Sequence, residues 1–226
     1  LIRQFQQIEE LMLNQGQSST LKLGSTITVG TCLTPFLIPK LQKLCTEVRV
    51  HSYVSNTKDI EQKLLRSELD VGIVEGEVLS SDLSVLPIID DCLVLAVGKN
   101  YIQVQDLAEE SFAMREQGSG TRQLFEEYIT RHQISVQTVW ESNCPRTLLN
   151  AVLYDQVLSV MSLRLMKHEI HHNTIRVFYN QNGEWNRKFK LVYHKNKFLT
   201  PVIYALEKLL HTYKNIKLPE NMGILE

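Results

Sequence analysis

The chain has 226 residues, with 24 basic and 25 acidic side chains and a formal net charge of -1. That length holds one large domain or two small lobes with separate cores, and a hydrophobic share of 43% with 22% charged residues is ordinary for a soluble globular protein. No stretch is basic enough to grip a phosphate backbone, so a DNA role requires another domain.

The first residue is Leu1, and an N-terminal piece is expected upstream of it. No apolar run approaches the roughly 20 residues of a bilayer span, and no signal peptide is visible. Cys32, Cys45, Cys92 and Cys144 have no paired spacing, which fits a reduced, cytoplasmic setting.

Residues 1–15 place Leu1, Phe5, Ile8 and Met12 on one helical stripe with Leu11 beside it, and residues 16–20 form a polar connector. So short a helix is marginal alone, and its stripe must pack on something. It is either an N-terminal helix lying on its own domain or a linker helix that joins another domain and pairs with a second copy. From Thr20 the pattern alternates. Residues 21–27 read as a strand, 32–45 as a helix, 48–54 as a strand, 57–68 as a helix and 69–75 as a short buried strand. Strands separated by helical segments predict βαβ units and a mainly parallel sheet. Residues 83–98 are an apolar run containing Pro87, Asp90 and Asp91, long enough to pass from one sheet into another.

A second α/β series follows: strand 111–116, helix 119–132, strand 135–141, helix 144–155, strand 157–162, short helix 163–169 and strand 174–180. After the turn QNGEW comes a strand at 187–195, and an amphipathic helix at 201–214 closes the chain. The strands at 83–98 and 188–194 are expected to be two crossovers between lobes. Two crossings leave a cleft, and in open parallel sheets ligands bind beyond the carboxyl ends of strands, where loops feed helix N-termini.

Three such loops are rich in hydroxyl and amide side chains. They are Gly24-Ser25-Thr26-Ile27-Thr28-Val29-Gly30-Thr31 after the first strand, Ser55-Asn56-Thr57 before a helix, and Gly118-Ser119-Gly120-Thr121-Arg122 before another. Such residues cap helices, whose first N–H groups lack partners, and the same N–H groups and the helix dipole attract anions. In the third loop two glycines let a ligand approach the backbone. The Lys of a phosphate-binding P-loop is absent there.

Two other groups compete for attention. His168-Glu169-Ile170-His171-His172 satisfies the spacing H-E-x-x-H of zinc peptidases, but it sits at the end of a brief helix, so a surface cluster of histidines is expected instead. Cys144 opens a helix beside Pro145, where the dipole can lower a thiol pKa, or where a small residue simply packs in a cleft wall. No G-x-S-x-G elbow appears.

In this order and spacing, LKLGSTITVGTCLTPFLIPKLQKL, DIEQKLLRSELDVGIVEG, REQGSGTR and NAVLYDQVLSVMS followed by LRLMKHEI resemble the effector-binding domain of LysR-type transcriptional regulators. The likeness covers nearly the whole chain. It departs from the family at Tyr154-Asp155-Gln156-Val157, where a Gly-x-Gly pair is usual. The resemblance implies an α/β fold of the type II periplasmic-binding-protein kind: two Rossmann-like subdomains joined by two crossover strands. It implies a linker-helix end at 1–17, subdomain I at 18–91 and 189–218, and subdomain II at 92–188.

It also implies a small, anionic effector held in the cleft by Ser25, Thr26, Thr28, Asn56, Thr57, Ser119, Gly120, Thr121, Ser142 and Asn143, with Glu75-Gly76 near the hinge. No enzymatic activity, catalytic residue, metal or cofactor is implied. The expected partners are the effector, a second copy in a homodimer (a homotetramer at full length), and DNA only through a winged helix-turn-helix upstream. The other readings are a transporter's solute-binding protein, which shares the fold, and a zinc metallopeptidase.

Overall fold

The structure is a computed structural model that describes residues 19–225, apart from 102, 105, 216–217 and 220–221. The helix expected at 1–15 lies outside the described residues. Two sheets organise the chain. The first has strand order β2-β1-β3-β10-β4, built from β1 (Ser19–Thr26), β2 (Val48–Ser55), β3 (Val71–Val74), β4 (Leu83–Asp91) and β10 (Arg187–His194). The second contains β5 (Leu93–Gly98), β8 (Ser159–Ser162), β9 (Ile175–Asn180) and β11 (Gly223–Leu225), in the order β11-β9-β5-β8. It is extended by the parallel pair β6 (Ser111–Arg115) and β7 (Gln137–Ser142), because Ala113 N–H donates to Leu158 O and Leu158 N–H to Ser111 O, each at 2.8 Å.

Helices cover both faces of the first sheet. On one face lie α1 (Ile27–Cys32), α2 (Thr34–Leu44) and α7 (Pro201–His211). Val202, Ile203, Leu206 and Leu210 recur at helical spacing along α7 and join Leu37 and Leu41 of α2 over Leu21, Leu23 and Leu191. On the other face α3 (Thr57–Leu65) sets Ile60 and Leu64 against Val74 and Val192. The second sheet is likewise enclosed. On one side α4 (Gly120–Arg131) packs Phe125 and Tyr128 edge-on to the fully buried Trp185. On the other, α5 (Pro145–Tyr154) buries Leu148, Leu149 and Val152.

The run at 83–98 passes from one sheet into the other as expected, though as two strands broken at Cys92, β4 in the first sheet and β5 in the second. Two expectations are corrected. The first sheet is mixed rather than mainly parallel: β10 returns from the other sheet and inserts antiparallel between β3 and β4, a direction that hydropathy does not encode. The helix expected to close the chain is followed by β11, which pairs parallel to β9. The close approach uses Gly223, where an added Cβ would meet the Phe178 ring.

Phe125→Ala should lower stability by about 3–5 kcal/mol in urea unfolding, through lost burial and the cavity left behind. Phe36→Ala, at a side chain 62% exposed, should change it by less than about 0.5 kcal/mol.

Candidate functional site

The loop expected at 24–31 does not exist as a loop. β1 runs to Thr26, whose extended backbone is the N-cap of α1, and α1 begins at once with Ile27. The Thr26 hydroxyl does not cap that helix. It donates instead to Glu75 Oε2 at 2.5 Å, while the Thr28 hydroxyl donates to Glu75 Oε1 at 2.8 Å. Glu75 follows directly on β3, so the ends of two neighbouring parallel strands meet over one carboxylate.

Facing Glu75 is Arg187, the first residue of β10. Its Nη1 lies 3.6 Å from Glu75 Oε1 and donates to Thr121 Oγ1 at 2.9 Å. Its Nη2 approaches Thr28 Oγ1 at 3.5 Å, and its Nε donates to Asp91 Oδ2 at 3.0 Å. Asp91 ends β4 and takes the hydroxyl of Ser162, from the end of β8, on Oδ1 at 2.5 Å. Arg164 Nε stands 3.7 Å from the same oxygen, and Arg164 Nη2 donates to the carbonyls of Asp90 and Tyr213. One guanidinium therefore links Asp91 and Thr28 of the first sheet and its helices to Thr121 on α4 of the second.

These groups are out of water: the side chains of Asp91, Arg187 and Glu75 are 0%, 5% and 5% exposed. Burial pulls the Arg187 pKa down, but Glu75 and Asp91 outweigh it and hold the guanidinium above its ordinary value, so it stays charged. Burial pushes Asp91 up, against the opposing pull of Arg187 and Ser162. Beside them the Cys32 thiol is pushed up to about 12, first by burial and then by Asp91 and Glu75, and it is inert as a nucleophile.

The two lobes also touch by backbone. A Cβ added to Gly120, at the start of α4, would stand 3.4 Å from the Cα of Gly76, and one added to Gly76 would stand 2.5 Å from Thr57 Oγ1. The position of Gly76 therefore needs a glycine because of Thr57 in its own lobe, while a Cβ at Gly120 would make only an ordinary van der Waals contact. Lys190 Nζ donates to the Gly76 carbonyl at 3.0 Å, pinning the segment that carries Glu75. Ser119 is the N-cap of α4 but its side chain does not cap; its buried hydroxyl and that of Ser25 are without a hydrogen-bond partner among the described residues.

Of the ten residues singled out in the sequence, the junction gathers Thr26, Thr28, Thr57, Gly120 and Thr121, with Ser119 adjoining and Ser25 buried behind Thr26. Three stand apart. Asn56 spends its side chain on capping α3 through Asp59 N at 2.9 Å. Ser142 accepts from Cys144 N at 3.1 Å, and Asn143 is exposed, both in the turn that feeds α5.

Glu75 lies at the expected hinge; Asp91, Arg164 and Arg187, the other charged members of the junction, are not among the residues singled out in the sequence. The available signal was a carboxylate interrupting an otherwise buried strand, Asp91 within an apolar run and Glu75 just beyond Val74.

The remaining candidates fall elsewhere. α6 (Lys167–His171) is a helix of 5 residues; Glu169 is buried against Arg146 at 2.6 Å, while His168 is exposed. Among the described residues no group of three His, Cys, Asp or Glu side chains is placed to hold a metal ion. Cys144 is exposed, and hydrogen bonds from Thr147 at the start of α5 lower its pKa. No described helix is long and apolar enough to cross a membrane.

With this geometry in view, residues 14–214 match the family described as the LysR substrate binding domain. Among curated proteins the chain is 24% identical over 180 residues to the HTH-type transcriptional regulator CysL of Bacillus subtilis, covering 76% of this chain and 60% of CysL. The chain thus spans three fifths of that relative's length.

Among solved structures, the regulatory domain of CcmR from Synechocystis PCC6803 in complex with 2-PG superposes with a TM-score of 0.77 at 21% identity, covering 91% of this chain and 99% of that one. The effector binding domain of QuiR in complex with shikimate gives 0.72 at 20% identity, covering 87% and 97%. These likenesses establish the two-lobed α/β fold.

The buried cluster predicts a large penalty for its central cation. Arg187→Met leaves Asp91 and Glu75 without their shared partner and should cost about 3–5 kcal/mol in denaturant unfolding, the range for breaking a buried ion pair by removing one side.

Proposed function

The chain belongs to the LysR substrate-binding domain family, and on that premise we propose that it is the effector-sensing part of a transcription regulator, reading a small molecule between its two lobes. The observation that carries the reading is the convergence of Thr26 and Thr28 from one lobe with Ser119, Gly120 and Thr121 from the other on a single buried polar junction. A ligand that touches both sides has different contacts in open and closed arrangements. That difference is what a ligand needs to shift a population between them.

The lobes in this reading are 18–91 with 189–218, and 92–188. Thr26, Thr28, Ser119, Gly120 and Thr121 are the effector contacts, with Ser25, Asn56, Thr57, Ser142 and Asn143 as outer members of the site. CcmR and QuiR were solved with 2-PG and shikimate, and a small anion suits a site of hydroxyls, backbone N–H groups and a guanidinium.

Acting as a sensor, the chain carries no catalytic step. It works in the cytoplasm and reaches DNA through an upstream winged helix-turn-helix. It pairs with a second copy, and the full-length protein forms a tetramer. Support for pairing comes from β2 and β7, which among the described residues end their sheets with unpaired edges and leave Val54, Val139 and Trp140 exposed.

A thermal-shift screen of small carboxylates and phosphates, including 2-PG and shikimate, identifies the tightest binder through its stabilisation of the folded state. The double variant Thr26→Val and Ser119→Ala removes two junction hydroxyls without adding bulk. It should weaken that binder at least tenfold by calorimetry while leaving the circular dichroism spectrum unchanged. Unchanged affinity would place the effector elsewhere.

A further inference from the structure

We propose that Glu75 is a tethered occupant of the effector site: its carboxylate holds the hydroxyls and the guanidinium that an anionic effector needs, so the effector binds by displacing it. This rests on the reading of the junction as the effector site.

A carboxylate accepts hydrogen bonds only, and Glu75 uses both oxygens, one on Thr26 and one on Thr28. It faces Arg187 at 3.6 Å. Two hydroxyl donors and a guanidinium are what a buried anion requires, and here they are directed at a side chain of the chain itself.

Charge decides the next step. Glu75 and Asp91 face Arg187 and Arg164 across the junction, and Lys190 donates to the Gly76 carbonyl at its edge. An anion brought to Thr26, Thr28 and Arg187 while Glu75 holds them would stand against a like charge with its donors already engaged, which is unfavourable.

Asp91 cannot be the group that yields. It is fully buried and held by Ser162 and Arg187 within the strand end where the chain changes sheets. Glu75 directly precedes Gly76, the residue that faces Gly120 of the other lobe. Ser119, buried and unpartnered at the N-cap of α4, is the polar group left over to receive an incoming oxygen. Displacement of Glu75 thereby ties occupancy of the site to the packing of one lobe on the other.

The test uses sulfate as the probe, titrated into the domain by calorimetry at constant ionic strength. Glu75→Gln keeps the size and removes the charge, and it should bind sulfate at least tenfold more tightly than the unaltered chain. Glu75→Asp, which draws the carboxylate back from the two hydroxyls but keeps it charged, should give an intermediate gain and serves if the glutamine variant does not fold. Equal or weaker binding in the folded variants overturns the proposal.

The Thr26→Val and Ser119→Ala changes separate the two layers. If they abolish sulfate binding in the unaltered chain while Glu75→Gln brings no gain, the site stands and the role of Glu75 falls. If sulfate binding to Glu75→Gln is indifferent to them, the site assignment itself falls.

Discussion

The arrangement depends on one buried guanidinium. Arg187 reaches Asp91, Glu75, Thr28 and Thr121, groups contributed by β4, the end of β3, α1 and α4. Removing a charge from water is costly, and the cost is met only when good geometry and further hydrogen bonds accompany the pair. Here both carboxylates also accept hydroxyls, Asp91 from Ser162 and Glu75 from Thr26 and Thr28. The position of α4 relative to the first sheet follows from this network, because Thr121 must reach Arg187 while Gly120 rests on Gly76. A buried charge network is a weak source of net stability, but it discriminates sharply between arrangements. An arrangement that separates its members leaves charges unpaired.

That property suits a sensor better than a larger apolar contact would. Hydrophobic burial is roughly proportional to area and indifferent to direction. The lobe contact here is small and polar, two glycine backbones and a handful of hydroxyls around Arg187, while each lobe keeps its own apolar core, one around Leu23, Leu191 and Leu206 and one around Phe125 and Trp185. A ligand that contributes oxygens at the junction biases the arrangement only by its differential affinity for the two states.

Much of this was legible in the residues. The helix and strand series, the change of sheet near Asp91 and the hydroxyls of Thr26, Thr28 and Thr121 are local signals: periodicity, an apolar run too long for one strand, and small polar residues at helix starts. What was not legible depends on pairing at a distance. The antiparallel insertion of β10 between β3 and β4, and the addition of β11 to the second sheet, are choices of neighbour that hydropathy does not record. The loop expected at 24–31 is a strand that becomes a helix without a break, because Thr26 directs its hydroxyl at Glu75, 49 residues away, instead of at its own backbone. Asn56 shows the opposite outcome: its local capping role accounts for its side chain completely.

The central claim, that the junction around Arg187 is where the effector is read, is tested most directly by a crystal structure of the domain with a bound anionic ligand. The account predicts the anion against the N-terminus of α4 and the hydroxyls of Thr26 and Thr28, with the Glu75 carboxylate turned away from both. An anion lodged outside the junction, or one that enters while Glu75 keeps both hydroxyls, would contradict it.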